Sequence, residues 1–260
     1  MGSKGMGMGL AFKVAGSGPP LVLLHPVGLS SDFWPEIADR LHHSHRVYCV
    51  DLAGHGTSPD AARPGRMADR IGDVADLLDR EVGAAAAVLG VSFGGMIAMN
   101  LALERPNSIR ALILAACPAA IPREARDAIR DRGRAAESGG MQAVLDATLE
   151  RWFSEGEIGS EIASRVRARL GANSPSNWAA AWEAVSDHDA LALLSDINVP
   201  TLVVAGEQDQ ATPLAAMETI SQEIAGSRLV VLTGAPHMLH LERAGDFADV
   251  VEAFLAGVVV

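Results

Sequence analysis

The sequence contains few cysteines. Cys49 and Cys117 are the only two, and each lies within an apolar run typical of a buried strand or its end. Disulfide-stabilised domains carry several closely spaced cysteines, and zinc sites need Cys and His at characteristic spacings. We therefore expect both thiols to be buried and reduced, rather than paired in a disulfide or bound to a metal.

Basic residues are outnumbered by acidic ones. The chain has 21 Lys and Arg residues against 32 Asp and Glu residues, and its formal net charge is −11. Proteins that bind nucleic acid cluster Lys and Arg to neutralise phosphates. The charge therefore argues against a nucleic-acid partner, and an acidic surface mainly favours solubility.

Long hydrophobic runs are absent as well. No apolar run approaches the ~20 residues that span a bilayer, although 49% of the 260 residues are hydrophobic. Residues 1–9 lack the apolar core, about 7–15 residues long, of a secretory signal peptide. These features predict a cytoplasmic protein without a membrane partner, and the composition is typical of a globular chain.

Short apolar runs alternate along the chain with stretches of helical pattern. Unbroken apolar runs are typical of strands covered on both faces, and their alternation with helices predicts an α/β fold with a doubly wound, mostly parallel sheet. The weakest strand candidate contains an alanine run, which favours helix, but its flanking Gly83 and Gly90 favour a short strand. The predicted strands are Leu21–Leu24, Val47–Asp51, Ala86–Leu89, Leu112–Ala115, Thr201–Ala205 and Leu229–Leu232, and the predicted helices are Phe33–Leu41, Met67–Glu81, Phe93–Glu104, Pro213–Ile224 and Gly245–Ala256.

One long segment interrupts this alternation. No strand is predicted between residues 121 and 195, where four helical stretches follow one another. A helical insertion between two strands predicts a lid over the strand ends. We therefore expect an α/β core, residues 1–120 and 196–260, and a helical lid, residues 121–195. The predicted lid helices are Arg123–Glu137, Met141–Phe153, Glu161–Leu170 and Trp178–Val185.

A serine lies at the centre of a glycine-rich turn between a predicted strand and a predicted helix. Gly90 and Gly94 stand two positions before and after Ser92. A sharp strand-to-helix turn leaves no room for Cβ atoms at these positions, and it exposes the serine hydroxyl at the start of the helix. A glycine-rich junction with an incidental serine would share the pattern. The pattern is typical of a nucleophile elbow, so Ser92 is the candidate nucleophile.

An acid and a histidine follow two later strands of the same sheet. Asp209 comes after the strand Thr201–Ala205, and His237 comes after the last predicted strand. The carboxyl ends of parallel strands meet at one edge, where chemistry is concentrated in such folds. A neutral imidazole can accept the serine proton while a carboxylate orients it, and the order Ser, Asp, His is the one expected of this architecture. We predict a catalytic triad of these residues, although Glu207 is a competing acid and Asp209 alone would suit a helix start.

An oxyanion hole needs two backbone N–H groups aimed at the developing negative charge. Phe93, directly after the nucleophile, is expected to supply one of them. The loop after the first predicted strand, His25-Pro26-Val27-Gly28, is expected to supply the other. Pro26 has no N–H to give, so Val27 is the predicted donor.

His240 and His55 are expected to have structural roles, whereas His42, His43 and His45 are expected to lie in a solvated loop. His240 lies three residues after His237, inside the following turn or helix, and the Gly54-His55-Gly56 sequence is typical of a structural turn. Three histidines between a predicted helix and strand lack Cys or acidic partners, so we expect no metal site. These three are His42, His43 and His45.

The chain resembles the α/β-hydrolase superfamily over nearly its whole length, and within it the 3-oxoadipate enol-lactonase group. Three stretches carry this resemblance, and the one in the lid is the most discriminating. It runs from Gly139-Gly140-Met141 to Leu149-Glu150-Arg151-Trp152-Phe153. The other two are Gly94-Gly95-Met96 and Gly206…Asp209…Thr212-Pro213. The resemblance implies a helical lid over a Ser-His-Asp site and no cofactor.

The motifs together predict a serine hydrolase that cleaves a small-molecule ester or lactone through an acyl-enzyme on Ser92. Trp152 and Trp178, together with Trp182, are candidates for lining the substrate pocket, although core packing of the lid would explain them equally well. Two alternatives remain open: the same triad cleaving a C–C or amide bond, and a ligand receptor that has kept the fold but turns over little substrate. The oligomeric state also remains open.

The chain departs from the enol-lactonase group at two places. That group usually has a Ser-Asn-Ser-Leu-Gly-like oxyanion loop, where this chain has His25-Pro26-Val27-Gly28. It also usually has an Arg directly before the Gly-His-Gly turn, and that Arg is a plausible partner for a substrate carboxylate. In this chain the residue at that position is Ala53. The lid arginines alternate with acids and are expected to face solvent, while Arg151 could point either way. We therefore expect neutral esters to be preferred over carboxylated ones, because a buried anion without a partner is costly. The arginines expected at the surface are Arg123, Arg126, Arg130, Arg132 and Arg134.

Overall fold

The computed structural model describes residues 4–5 and 9–258, and a sheet of eight strands forms its centre. The strand order is β1-β2-β4-β3-β5-β6-β7-β8. The pairs β1–β2 and β2–β4 are antiparallel, and every other pair is parallel. The strands are β1 Lys4–Gly5, β2 Phe12–Ala15, β3 Pro20–Leu24, β4 Arg46–Val50, β5 Ala86–Val91, β6 Ile109–Ala115, β7 Thr201–Gly206 and β8 Arg228–Leu232.

All six predicted strands are present, which confirms the predicted doubly wound, mostly parallel sheet. The alanine run forms part of β5, whose six residues are all buried between β3 and β6. Sheet pairing on both sides outweighs the intrinsic helical preference of alanine there. The sequence analysis missed β1 and β2, because both strands are short and only one of the four residues of β2 is buried, so they carry little hydrophobic signal. The prediction that residues 1–9 contain no signal peptide falls largely outside the described residues.

Helices cover both faces of the sheet. The predicted helix from Met67 to Glu81 divides into a regular helix and a wider turn, Leu78–Val82, which ends where Gly83 adopts a φ of 68°. Among the described residues, no helix is long and apolar enough to cross a membrane. The helices are α1 Pro35–Leu41, α2 Met67–Leu77, α3 Phe93–Glu104, α4 Arg126–Gly139, α5 Leu145–Trp152, α6 Glu161–Gly171, α7 Pro175–Ser186, α8 Leu214–Glu223, α9 Leu239–Glu242 and α10 Ala244–Ala256.

Two apolar cores lie on opposite faces of the sheet, because successive side chains of a strand point in opposite directions. In β3, Leu21 and Leu23 pack in one core with residues of α1 and α10. Val22 and Leu24 pack in the other core, which also holds residues of α2, α3, α8 and the lid. The lid helices α4 to α7 lie between β6 and β7 in the chain, so the predicted helical insertion is confirmed. The domain boundaries proposed at residues 120/121 and 195/196 stay a prediction.

Both cysteines are free and buried, as expected. Burial raises the pKa of the Cys49 thiol to about 12 and raises the pKa of the Cys117 thiol as well. Thiolates form readily only where the thiol pKa is lowered. Neither cysteine therefore has the character of a nucleophile.

Four of the buried histidines have strongly lowered pKa values. Burial lowers the pKa of His25 and His188 to about 4 and that of His55 and His240 to about 3. His240 packs between Trp34 and Phe247, with ring centroids 5.0 and 6.4 Å away, and its ring nitrogens have no hydrogen-bond partner among the described residues. These imidazoles are therefore neutral near pH 7 and resist protonation in the folded state.

The buried histidines predict a loss of stability in mild acid. Their folded-state pKa values lie below the ordinary value of about 6.5, so the unfolded chain binds more protons as the pH falls from about 6.5 to about 4. Each such histidine contributes up to ~1.4 kcal/mol per pH unit in that window. We expect the free energy of unfolding, measured with urea between pH 7 and pH 5, to fall less steeply in His240→Leu than in the wild type. His43→Leu, at an exposed position, is the control, and identical slopes in all three proteins would contradict the assignment.

Candidate active site

Ser92 lies in a strained turn between β5 and α3. Its φ and ψ are 53° and −115°, a left-handed conformation that L-residues rarely adopt. A Cβ added to Gly90 would lie 2.2 Å from the carbonyl oxygen of Gly94, and one added to Gly94 would lie 2.1 Å from that of Leu24. Both glycines are therefore required by close backbone contacts, which supports the reasoning that singled out Ser92.

His237 lies between Ser92 and Asp209. Its Nε2 is 3.0 Å from Ser92 Oγ, and its Nδ1 is 2.9 Å from Asp209 Oδ2 and 3.1 Å from Oδ1. A carboxylate only accepts hydrogen bonds, so the Nδ1 that faces it carries the proton and Nε2 is left to accept from the serine hydroxyl. The structure thus brings the three predicted residues together at the carboxyl ends of β5, β7 and β8.

The loop after β7 fixes the orientation of the Asp209 carboxylate. The backbone N–H groups of Ala211 and Thr212 both donate to Asp209 Oδ1, at 2.8 Å. Thr212 Oγ1 donates to the carbonyl oxygen of Ala116, which lies just beyond β6. Glu207, the competing acid, instead accepts from the N–H of Gly234 at 2.8 Å and does not face His237. The positioning role of Thr212 was missed, because its hydroxyl contacts a backbone group remote in sequence.

The two predicted oxyanion residues line the same small cavity as Ser92 and His237. Phe93 is the first residue of α3, so its N–H has no acceptor within the helix. Val27 lies in the loop after β3, where Gly28 follows with a φ of 78°. A Cβ added to Gly28 would lie 2.7 Å from the Trp178 ring, so the loop packs tightly under the lid.

His25 anchors the loop that carries Val27. The N–H of Leu52 donates to His25 Nε2 at 3.0 Å, and His25 Nδ1 lies 2.7 Å from the carbonyl oxygen of Pro26. A ring nitrogen that accepts leaves the proton on the other nitrogen, so Nδ1 donates to Pro26. The ring of His55 lies 5.1 Å from that of His25. His25 therefore holds the loop through hydrogen bonds, and His55 packs against His25, in agreement with a structural role for the Gly54-His55-Gly56 turn.

A second buried polar contact ties this loop to the strand beside it. The N–H groups of Ser31 and Thr57 donate to the two carboxylate oxygens of Asp51, at 2.7 and 2.9 Å. Burial alone would raise the pKa of Asp51, but these hydrogen bonds outweigh it and the pKa is lowered. A Cβ added to Gly56 would lie 2.1 Å from the Asp51 carboxyl group, which explains the second glycine of the turn.

The cavity at Ser92 has a volume of about 50 Å³, and lid side chains cover it. Trp152, one of the predicted pocket residues, lines it, and its ring centroid lies 6.1 Å from that of His237. Trp182 lines the cavity too. Trp178 does not line this cavity; it lines a larger outer pocket of about 380 Å³ within the lid, and its Nε1 donates to the carbonyl oxygen of Arg132.

The lid is hydrogen-bonded to the loop and helix that follow His237. The N–H of Met238 donates to the carbonyl oxygen of Trp152 at 3.0 Å. The N–H and hydroxyl of Ser154 donate to the Glu242 carboxylate at 2.8 and 2.7 Å. These hydrogen bonds join the end of α5 to the segment that carries His237. A Ser-Glu pair 88 residues apart gives no signal in the sequence.

Arg132 differs from the expectation that the arginines of α4 face solvent. It lines the cavity at Ser92 and is half-buried. The helical periodicity of α4 places it on the inner face with Gly133 and Ala136, which are buried. Ala53, the position compared with an arginine of the enol-lactonase group, lines a separate surface pocket beside Arg70 instead. The prediction that Arg132 faces solvent was therefore wrong.

The other histidines stay outside the site. His240 is buried behind His237 against Trp34, and the rings of His42 and His43 stack on each other near the end of α1. Within the described residues, no three His, Cys, Asp or Glu side chains are grouped so that they would hold a metal ion.

Comparisons with known proteins agree with this architecture. Residues 21–250 match the model of the alpha/beta hydrolase family. The chain is 30% identical to 3-oxoadipate enol-lactonase 2 of Acinetobacter baylyi, over 91% of this chain and 88% of that protein. It is also 30% identical to a pimeloyl-[acyl-carrier protein] methyl ester esterase of Chromobacterium violaceum, over 92% and 95% of the two chains.

A solved structure is similar over almost the same length. The enol-lactonase from Burkholderia xenovorans LB400 superposes with a TM-score of 0.89 at 29% identity, covering 95% of this chain and 97% of that one. The family match, the two relatives and this structure together support hydrolysis of ester bonds in general. The chain belongs to the alpha/beta hydrolase family.

Proposed function

We propose that the protein hydrolyses small carboxylic esters or lactones through an acyl-enzyme on Ser92. The observation that carries the proposal is the continuous contact from Ser92 Oγ to His237 Nε2, 3.0 Å, and from His237 Nδ1 to Asp209 Oδ2, 2.9 Å. This is the geometry that a general base and its orienting carboxylate need in order to activate a hydroxyl nucleophile.

In the first half of the proposed reaction, Ser92 Oγ attacks the ester carbonyl carbon and His237 Nε2 takes the hydroxyl proton. The tetrahedral intermediate collapses as the bond to the alkoxy oxygen breaks, and His237 returns the proton to the leaving alcohol. In the second half, His237 activates a water molecule that attacks the acyl-enzyme, which releases the acid and restores the Ser92 hydroxyl. A lactone follows the same steps, except that acid and alcohol leave as one molecule.

The N–H groups of Val27 and Phe93 would stabilise the oxyanion of both tetrahedral intermediates. Removing a single oxyanion donor typically costs about 10²–10³-fold in kcat. Phe93 also stands at the N-terminus of α3, a helix of 12 residues, where the helix dipole favours negative charge. The tight packing of His25 and Gly28 supports a preformed position for the Val27 N–H.

Two features support a small ester or lactone as the substrate. The names of the two relatives, an enol-lactonase and a methyl ester esterase, both describe cleavage of a carboxylic ester bond. The cavity at Ser92 is narrow and walled by the rings of Trp152 and Trp182, which suits a compact, partly apolar acyl group. Amide and C–C substrates are the alternatives, and assaying an amide isostere of the best ester discriminates between them.

We expect Ser92→Ala to reduce the kcat/KM for p-nitrophenyl butyrate by about three or more orders of magnitude, as for other triad members. The change removes one buried oxygen, so the circular dichroism spectrum and melting temperature should stay close to those of the wild type. Ser186→Ala is the matched control, because Ser186 is buried but lies on α7 and bonds to the carbonyl oxygen of Glu183. Activity above a tenth of the wild-type value in Ser92→Ala would rule out this nucleophile.

We expect His237→Ala to be nearly as damaging as Ser92→Ala and His240→Leu to retain most of the activity. His240 contacts Trp34 and Phe247 rather than the serine, and leucine matches its apolar surroundings. The measurement is the steady-state kcat with the same ester at a temperature where each variant is folded. If the order of the two variants were reversed, His240 would be the general base.

A further inference from the structure

Arg132 is exceptional among the arginines of α4. Arg126, Arg130 and Arg134 each pair with an aspartate, Arg130 at 2.6 Å and Arg134 at 2.8 Å. For Arg132, by contrast, no carboxylate lies within ion-pair distance among the residues that the structure describes. Half-buried guanidinium groups normally have an acidic partner, because removing the charge from water is costly.

Arg132 contacts a second polar side chain that has no hydrogen-bond partner among the described residues. The Arg132 guanidinium carbon lies 4.9 Å from the centroid of the Trp182 ring, so a cation–π contact holds it in place. The indole Nε1 of Trp182 is buried and has no acceptor within the described part of the chain. An unpaired cation and an unpaired N–H donor therefore meet in the wall of the cavity that also contains Ser92 and His237.

A second arginine makes this region more positive. Arg132 and Arg151 both line the outer lid pocket, which adjoins the cavity at Ser92 through Arg132, Trp152 and Trp182. Burial, followed by the charge of Arg151, lowers the pKa of Arg132 to about 10. Asp131 also lines the outer pocket, but its carboxylate pairs with Arg134. Arg132 stays charged at neutral pH, and none of residues 4–5 and 9–258 supplies a carboxylate within ion-pair distance of it.

We propose that Arg132 is a specificity-determining residue that binds a carboxylate carried by the substrate, so that the preferred substrates are monoesters of short dicarboxylic acids or the equivalent lactones. This inference rests on the proposed ester hydrolysis at Ser92. A guanidinium presents paired N–H donors that match the two oxygens of a carboxylate. Because Arg132 and Ser92 line one small cavity, the carboxylate and the scissile carbonyl are separated by only a few bonds.

This proposal reverses the expectation of a preference for neutral esters. That expectation rested on the missing arginine at position 53 and on solvent-facing lid arginines. Ala53 does not line the cavity at Ser92, whereas Arg132 does. The enol-lactonase group usually has its arginine in the loop after β4, whereas in this protein Arg132 of the lid supplies the positive charge.

The test compares monoethyl succinate, glutarate and adipate with their neutral carboxamide isosteres, with hydrolysis followed by proton release. For the best chain length we expect the wild type to favour the carboxylate at least about tenfold in kcat/KM. Arg132→Gln should reduce kcat/KM for the carboxylate about 10- to 100-fold, the range of a charge-assisted hydrogen bond, and change that for the carboxamide less than about threefold. Arg132→Lys should retain part of the preference.

Arg130→Gln is the matched control, since it removes a paired arginine of the same helix whose partners, Asp127 and Asp187, line neither the cavity at Ser92 nor the outer lid pocket. It should leave both substrates unaffected. A wild-type enzyme without preference for the carboxylate at any chain length, or an Arg132→Gln variant that loses activity equally on both isosteres, would overturn the proposal.

A binding measurement separates this inference from the catalytic one. Calorimetric titration of Ser92→Ala with glutarate monoamide and with the uncharged diamide needs no turnover. We expect tighter binding of the monoamide, and we expect that difference to disappear in Ser92→Ala/Arg132→Gln. If Ser92→Ala still turned over esters, Ser92 would not be the nucleophile, but the charge preference would be unaffected. Equal binding of the two ligands would contradict the role of Arg132 and leave the role of Ser92 unaffected.

Discussion

The tight turn between β5 and α3 is the constraint on which the rest of the site depends. It holds Ser92 at a φ of 53°, a conformation that costs of order 1–3 kcal/mol and persists only where the surroundings enforce it. The buried strand before it and the buried helix after it provide that enforcement, and they leave no space for side chains at Gly90 and Gly94. The same turn carries Phe93, the first residue of α3. The proposed nucleophile and one proposed oxyanion donor thus belong to a single piece of backbone.

The lid is part of the site and not only a cover. Its helices supply Trp152, Trp182 and Arg132 to the cavity wall, and the backbone of Trp152 and the side chain of Ser154 are bonded to the segment that follows His237. The lid is therefore connected by hydrogen bonds to the segment that follows the imidazole of His237. In the proposed function, the core supplies the reacting groups, while the lid supplies the surface that distinguishes one acyl group from another.

Much of the core and of the triad could be predicted from the sequence, because both depend on local patterns. Buried parallel strands appear as unbroken apolar runs, and the elbow requires glycines at fixed distances from Ser92. Strand β2 was missed because only Phe12 of its four residues is buried. The sequence analysis wrongly placed Arg132 at the surface, because the alternation of charges along α4 does not reveal which face of the helix points inward. The small residues Gly133 and Ala136, which are buried, could have indicated that face. The contacts of Thr212 and Glu242 join residues remote in sequence, so they could not be predicted without the fold.

The most direct test of covalent catalysis at Ser92 is to trap the intermediate. The protein is mixed with p-nitrophenyl butyrate, quenched in acid within the first turnovers and analysed by intact-protein and peptide mass spectrometry. We expect one butyryl group per chain, located on the peptide that contains Ser92 and absent from Ser92→Ala. An adduct on another residue would contradict the acyl-enzyme mechanism at Ser92. The mechanism would also be contradicted if the protein stayed unmodified and released p-nitrophenol without a burst, while His237→Ala remained active.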